Sequence, residues 1–484
     1  MKKATFTEKI GYGIASLGDS ISYNFIGTFF LFFLTTVAGI TPAVAGLIIA
    51  VGSVWNALFN PIMGYFADNV STRYGRRRPV IFVSSIFLGI MIFVMFTNID
   101  FSDAFKPVYY GLMTVLFWSS FTGFFVPYNA LGTDYASTYD ERTSIRSFAF
   151  FFNMIGNMFS MMLPTLIVEF LGQYGISTSQ AWSATGALLG LVTTITIIIT
   201  VIVSKDRDLP CPAPTHASSR AASESGAAES DDSKSTDKAD ASGAAAEADA
   251  PESKEKFSFL NIFREYISVA KLPPMKYLIV TSLSALILST MLMSNMLYFL
   301  TYNLGMSAGQ ISFCFFFRSA LGIVFIPLTG RLTRIFDKRI ALIICYAVGM
   351  SGMIVLRFVN LHGFSGALVY MFFLSICTAI YWQIMPSIFY DICAYDKMVT
   401  GKKRESMILS FQGLVEALAA GVGGQLLGII LELAGFTGDG SAPTEAALLW
   451  IENSATVIPM IFMAVAIFAL YKYPLRREKE LPLD

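Results

Sequence analysis

Long apolar runs separated by short polar loops make up nearly the whole chain, and a single long polar stretch divides them into two sets. Runs at 10–37, 42–67, 80–97, 108–130, 145–171 and 181–203 precede that stretch. Runs at 275–302, 310–332, 340–359, 367–392, 407–433 and 446–471 follow it. A helix needs about 20 apolar residues to cross the hydrocarbon core of a bilayer, so each run predicts one spanning helix. The expected fold is an all-α membrane protein with twelve transmembrane helices in two pseudo-symmetric six-helix halves, 1–204 and 274–473, ending in a short tail at 474–484.

The dividing stretch, 205–256, is mostly Ala, Ser, Asp, Glu, Lys and Pro, with Leu209 as its one large aliphatic residue. It cannot bury enough apolar surface to offset its ordering entropy and reads as a disordered linker. The next segment, 257–273, is amphipathic and predicts a helix lying along the membrane surface. Lys and Arg fall in alternate loops. Lys9, Arg73, Arg76, Arg77, Arg78, Arg142, Lys205, Arg334, Lys338, Arg339, Lys402, Lys403, Arg404, Arg476 and Arg477 share one side, and Lys106 is the clear exception on the other. The positive-inside rule then places both termini and the linker in the cytoplasm.

Composition narrows the function. Hydrophobic residues make up 55% of the chain and charged residues 14%, against about 25% charged in a soluble domain. The zero net charge says little about partners, because the charges sit in loops. The five Cys show neither metal-ligand nor disulfide spacing. Lys2 and Lys3 precede an apolar run, but that run carries Asp19 and lacks a small-residue cleavage site, so it reads as a first span rather than a signal peptide. An enzyme is not expected: there is no nucleotide loop and no metal cluster, and His216 and His362 fall in the linker and an outer loop. The basic residues are short loop flanks, not a continuous face, so nucleic acid is not an expected partner. The expected partners are a small-molecule solute and the bilayer, for a monomer with no cofactor beyond a coupling cation.

The halves echo each other. PYNALGTDYASTYDERTSIRSF (127–148) follows the fourth span, and PSIFYDICAYDKMVTGKKRESMILSF (386–411) follows the tenth. GYFADNVSTRYGRRRP (64–79) has a weaker counterpart at 330–339. Paired halves around a central site are a common plan of secondary transporters. These loops set Asp68, Asp134, Asp140, Asp391 and Asp396 beside Arg73, Arg76, Arg142 and Arg404 at helix ends. Groups that pair in one conformation and separate in another would form a gate.

The loop at 64–79, VPYNAL, the DER of Asp140–Arg142, Tyr395-Asp396, and Gly401 followed by Arg404-Glu405-Ser406 resemble one branch of the major facilitator superfamily. That branch is the glycoside–pentoside–hexuronide:cation symporter family, to which melibiose permease belongs. The resemblance covers both halves and misses only the linker. It implies the major facilitator fold, alternating access around a midplane site, and cotransport of a solute with a cation.

A charge at the bilayer centre costs about 3 kcal/mol or more, so ionisable residues there are candidates for function. Asp19, Arg318 and Glu416 each stand nine residues from a helix end, about 14 Å along the axis and close to the midplane. They are expected to share one site, with Arg318 and Glu416 as a possible buried pair. Trp382, beside Gln383, is a candidate to stack on a sugar face, and Asn153 and Asn157 read as helix–helix contacts. Asn129, in VPYNAL, and Gln412, one turn before Glu416, complete the candidate set.

The departures from the resembling family are specific. Its span-two carboxylates, which hold the coupling cation, correspond to Asn56 and Asn60, and its span-four sugar carboxylate corresponds to Phe125. Its span-one carboxylate falls on Ser20, next to Asp19, and its span-eleven lysine on Ala417, next to Glu416. Asn neither carries charge nor titrates, so coupling is expected to use protons through Asp19 or Glu416 rather than sodium. The expected function is secondary transport of a glycoside-like or other polar organic solute. The alternatives are an amphiphile or organic-anion transporter, an uncoupled facilitator, or more remotely a transport-dead sensor.

Overall fold

The structure, a computed structural model, describes residues 5–69, 75, 77–99, 102, 104–134, 139–206, 267–359, 363–401, 405–437 and 442–475. Among them twelve helices are long and apolar enough to cross a membrane. They are α1 (Phe6–Val37), α2 (Pro42–Asn69), α3 (Arg78–Met95), α4 (Lys106–Asp134), α5 (Tyr139–Gln173) and α6 (Thr178–Val203), then α7 (Pro273–Asn303), α8 (Ala308–Ile335), α9 (Lys338–Val359), α10 (Gly363–Thr400), α11 (Glu405–Leu433) and α12 (Glu445–Lys472). The expected linker beyond Asp206 and the expected surface helix up to residue 266 lie outside the described residues. The part of that helix at 267–272 is a helical turn with Val269 buried.

Local chemistry sets the helix ends. Ser177, Ser307 and Thr444 cap α6, α8 and α12 by accepting backbone N–H bonds, and Gln310 closes a capping box on Ser307. Both Asn69 and Thr400 lie beyond the span ends expected at 67 and 392, because helix formation does not stop where apolar character stops. The break in α12 has a direct cause. Pro459 has no N–H to give the Ala455 carbonyl, and the Tyr370 hydroxyl donates to that carbonyl instead at 3.2 Å.

The pseudo-symmetry extends to single hydrogen bonds. α1 and α7 each finish in a π-helical turn, Phe33–Val37 and Phe299–Asn303. Ala38 and Ile40 donate to Phe33 and Leu34, just as Leu304 and Met306 donate to Phe299 and Leu300. The chain then reverses through Gly39 (φ 72°) and Gly305 (φ 57°), in the left-handed region that favours glycine. At the opposite face, which carries the first and last described residues, Arg78 donates to the Val201 carbonyl that ends α6. Arg339 likewise donates to the Tyr473 carbonyl that ends α12. These cations satisfy orphan carbonyls at helix C-termini.

The halves meet along α2–α11, α5–α8 and α1–α7. Among the described residues, their joining hydrogen bonds run from mid-depth to the distal face, away from the termini. There the Glu432 carboxylate accepts the Ala43 N–H at 2.7 Å, and the Thr35 and Tyr298 hydroxyls bond at 2.5 Å. Thr165 and Ser312 share a bond of 2.6 Å, and deeper in, Ser294 donates to the Gly27 carbonyl. The α2–α11 seam is close because it is built from small residues. A Cβ on Gly428 would lie 2.3 Å from the Pro42 carbonyl oxygen, and one on Gly46 would lie 2.9 Å from Gln425 Cα.

Candidate functional site

α1 is the most deeply enclosed span, with 72% of its apolar window buried. Its accessible residues therefore open toward the space between the halves. Asp19, Tyr23 and Gly27, spaced i, i+4, i+8, form such a stripe, and Tyr23 keeps 40% of its surface. Tyr23 lies in electrostatic reach of both Asp19, from its own helix, and Glu416, from α11 of the other half. Glu416 Oε1 accepts the Gln412 amide N–H at 2.9 Å. Tyr381 of α10 also reaches Glu416. Tyr23 thus feels the charge of two carboxylates, one from each half, and neither has a Lys or Arg partner among the described residues.

An aromatic wall continues from Tyr23. Its ring lies 6.0 Å from both Trp118 and Phe121 of α4, and Phe121 stacks on Phe125 at 5.5 Å and 14°. Phe125 is thus part of a stacked apolar surface where the resembling family has a carboxylate. The amide pair of α2 is internally hydrogen-bonded. Asn60 Nδ2 donates to the Asn56 carbonyl at 2.7 Å and to Asn56 Oδ1 at 3.1 Å, and the Thr122 hydroxyl donates to the same Oδ1 at 2.8 Å. Asn56 Oδ1 accepts two bonds, and among the described residues no carboxylate joins the pair.

Arg318 departs from expectation, because it does not pair with Glu416. Its Nη1 points at the Met161 sulfur of α5 at 3.4 Å, and its buried Nε has no hydrogen-bond partner. Arg318 and Glu416 share a depth but not a direction around the bundle, which sequence spacing does not fix. Asn157 is a contact between halves, as expected, its Oδ1 accepting from Ser319 at 3.4 Å.

The other candidates are dispersed. Asn129 accepts from Arg146 and donates to the Phe125 carbonyl, a bond between α4 and α5. Trp382 is 47% exposed and meets the Tyr381 ring edge-on. Asp391 is held within its own half by Lys338 at 2.7 Å. Asp396 is buried and accepts from Thr400. The side chains of Asp68, Arg73, Arg76, Asp134, Asp140, Arg142 and Arg404 lie outside the described residues. Sequence reading missed Tyr23 and Tyr381, since a neutral phenol inside an apolar run gives no signal of its own.

Two six-helix halves closing around a mid-depth polar site define a transporter of the major facilitator superfamily, an integral multi-pass membrane protein and not an enzyme. The chain belongs to the MFS/sugar transport protein family, whose profile matches residues 11–227 and 241–477. It is 24% identical to the uncharacterized symporter YnaJ of Bacillus subtilis, over 99% of this chain and 94% of that one. It is 28% identical to the sodium-dependent lysophosphatidylcholine symporter 1-B of Danio rerio, over 37% of this chain and 34% of that one. The fold superposes on a bacterial homologue of the human lysosomal transporter Spinster, in an inward-facing and unoccupied conformation. That match has a TM-score of 0.67 and 14% identity, and covers 97% of this chain and 98% of that one.

Proposed function

We propose that the protein is a proton-coupled symporter of a polar, glycoside-like organic solute, with Asp19 and Glu416 carrying the coupling proton. The observation that carries this reading is that two intramembrane carboxylates, one from each half, both act electrostatically on Tyr23 and have no basic partner among the described residues. A lone carboxylate at mid-membrane needs a compensating positive charge. A proton supplies it to a single group, whereas sodium needs several converging oxygens. Because the site spans both halves, its protonation changes the cost of bringing them together, which is how an ion can drive alternating access.

The bonding from mid-depth to the distal face among the described residues supports a state closed on that face, which we read as the outer one, with termini and linker in the cytoplasm. The aromatic faces of Tyr23, Trp118, Phe121 and Phe125 suit a sugar ring. They equally favour a second reading within this mechanism, an amphiphile whose apolar part lies on that wall.

The test separates exchange from accumulation in proteoliposomes, using a solute selected by thermal-shift screening. Asp19→Asn and Glu416→Gln are expected to retain solute exchange but to lose accumulation under an inward proton gradient by tenfold or more. Unchanged accumulation in both variants would refute the assignment.

A further inference from the structure

Arg318 is the one mid-depth charge that the proton-coupled reading leaves unused. It sits on α8 at the α5–α8 seam, where the two halves touch. A guanidinium has five N–H donors and no acceptor, yet its contacts here are a thioether sulfur at 3.4 Å and a buried Nε with nothing to bond. The surrounding polar groups do not supply a counter-charge. Tyr370, in electrostatic reach, already donates its hydroxyl to Ala455. Ser375 donates to the Arg318 main-chain carbonyl, not to the side chain, and Ser319 is taken up by Asn157 and Phe315. Among the described residues of this half the ion pairs lie elsewhere, at Lys338–Asp391 and Arg357–Glu452. A charge of this kind is costly when empty. The planar fork of arginine matches a carboxylate or phosphate in bidentate fashion.

We infer that Arg318 is the anchor for an oxyanion on the transported solute, a carboxylate or a phosphate, bound at the α5–α8 seam. This deepens the proposed function by giving the solute a negative group, and it rests on the transporter reading. The solute then bridges the halves: its anionic end faces Arg318 and Met161, and its remainder reaches the aromatic wall and the carboxylate pair on the α1–α11 side.

The test is equilibrium binding to the purified full-length protein, so it does not depend on which ion drives transport. Phenyl β-D-glucuronide against phenyl β-D-glucoside forms the carboxylate arm. Lysophosphatidic acid against monoacylglycerol forms the phosphate arm. At least one anionic probe is expected to raise the unfolding temperature by several degrees while its neutral twin does not. Arg318→Met should weaken that binding roughly 30-fold or more, and Arg318→Lys should retain part of it. Without ligand, Arg318→Met should unfold no lower than the wild type, because it removes an unpaired charge. The inference is overturned if no anion on either arm shifts the wild type, if the neutral twins shift it equally, or if Arg318→Met keeps the anion shift. It is equally overturned if ligand-free Arg318→Met loses several degrees, since Arg318 would then be a structural strut.

Discussion

At Asn56 the amide oxygen accepts from Thr122 and Asn60, so two neutral side chains and a hydroxyl satisfy one another where the resembling family holds a cation. The missing ingredient is charge, and restoring it is a direct experiment. Asn56→Asp with Asn60→Asp is expected to create a sodium-dependent rise in unfolding temperature that the wild type lacks, read as a salt titration of sodium against choline. A sodium response of equal size in the wild type would mean that the amide pair binds the ion after all. At this scale the sequence reveals charges better than partners. Asp19, Glu416 and Arg318 stand out because ionised groups are rare inside a membrane. Their neighbours do not, because helical spacing gives depth and leaves the angle around the bundle to packing. The expected Arg318–Glu416 pair failed for that reason. Tyr23 was hidden among 21 tyrosines.

The α2–α11 seam shows how a pair of elements sets a conformational equilibrium. Gly46 sits against Gly424 and Gln425, and Gly428 against Pro42 and Gly46, so the helix backbones touch near the distal face. Glu432 then reaches across to cap the N-terminus of α2. Overpacking such a contact costs about 1–3 kcal/mol, and each 1.4 kcal/mol changes a two-state ratio tenfold. Gly46→Leu is therefore expected to move the population from the distally closed toward the distally open state by about tenfold. Ser53, buried in this seam, provides the readout: Ser53→Cys should react slowly with a membrane-impermeant maleimide, and at least several-fold faster when Gly46→Leu is added. An unchanged rate would mean that the seam does not gate access. The helices themselves were plain in the hydrophobic pattern, but the seam was not. Small residues at three- and four-residue spacing mark a contact surface without naming the helix that fills it.

For the whole molecule, the twelve spans and the two-half plan were legible because a bilayer allows few alternatives to apolar helices. The repeated π-helical turns after α1 and α7 were not, because FLTTV and FLTYN look alike without revealing that each releases the same carbonyls. What the assembled halves create, and neither half contains, is a phenol, Tyr23, under the charge of both Asp19 and Glu416. The most direct test of the account is accumulation of solute by proteoliposomes under imposed proton, sodium or lithium gradients of equal size, in the wild type and in Asp19→Asn with Glu416→Gln. Accumulation is expected under the proton gradient alone and is expected to vanish in the double variant. Sodium-driven accumulation that survives both substitutions would contradict it.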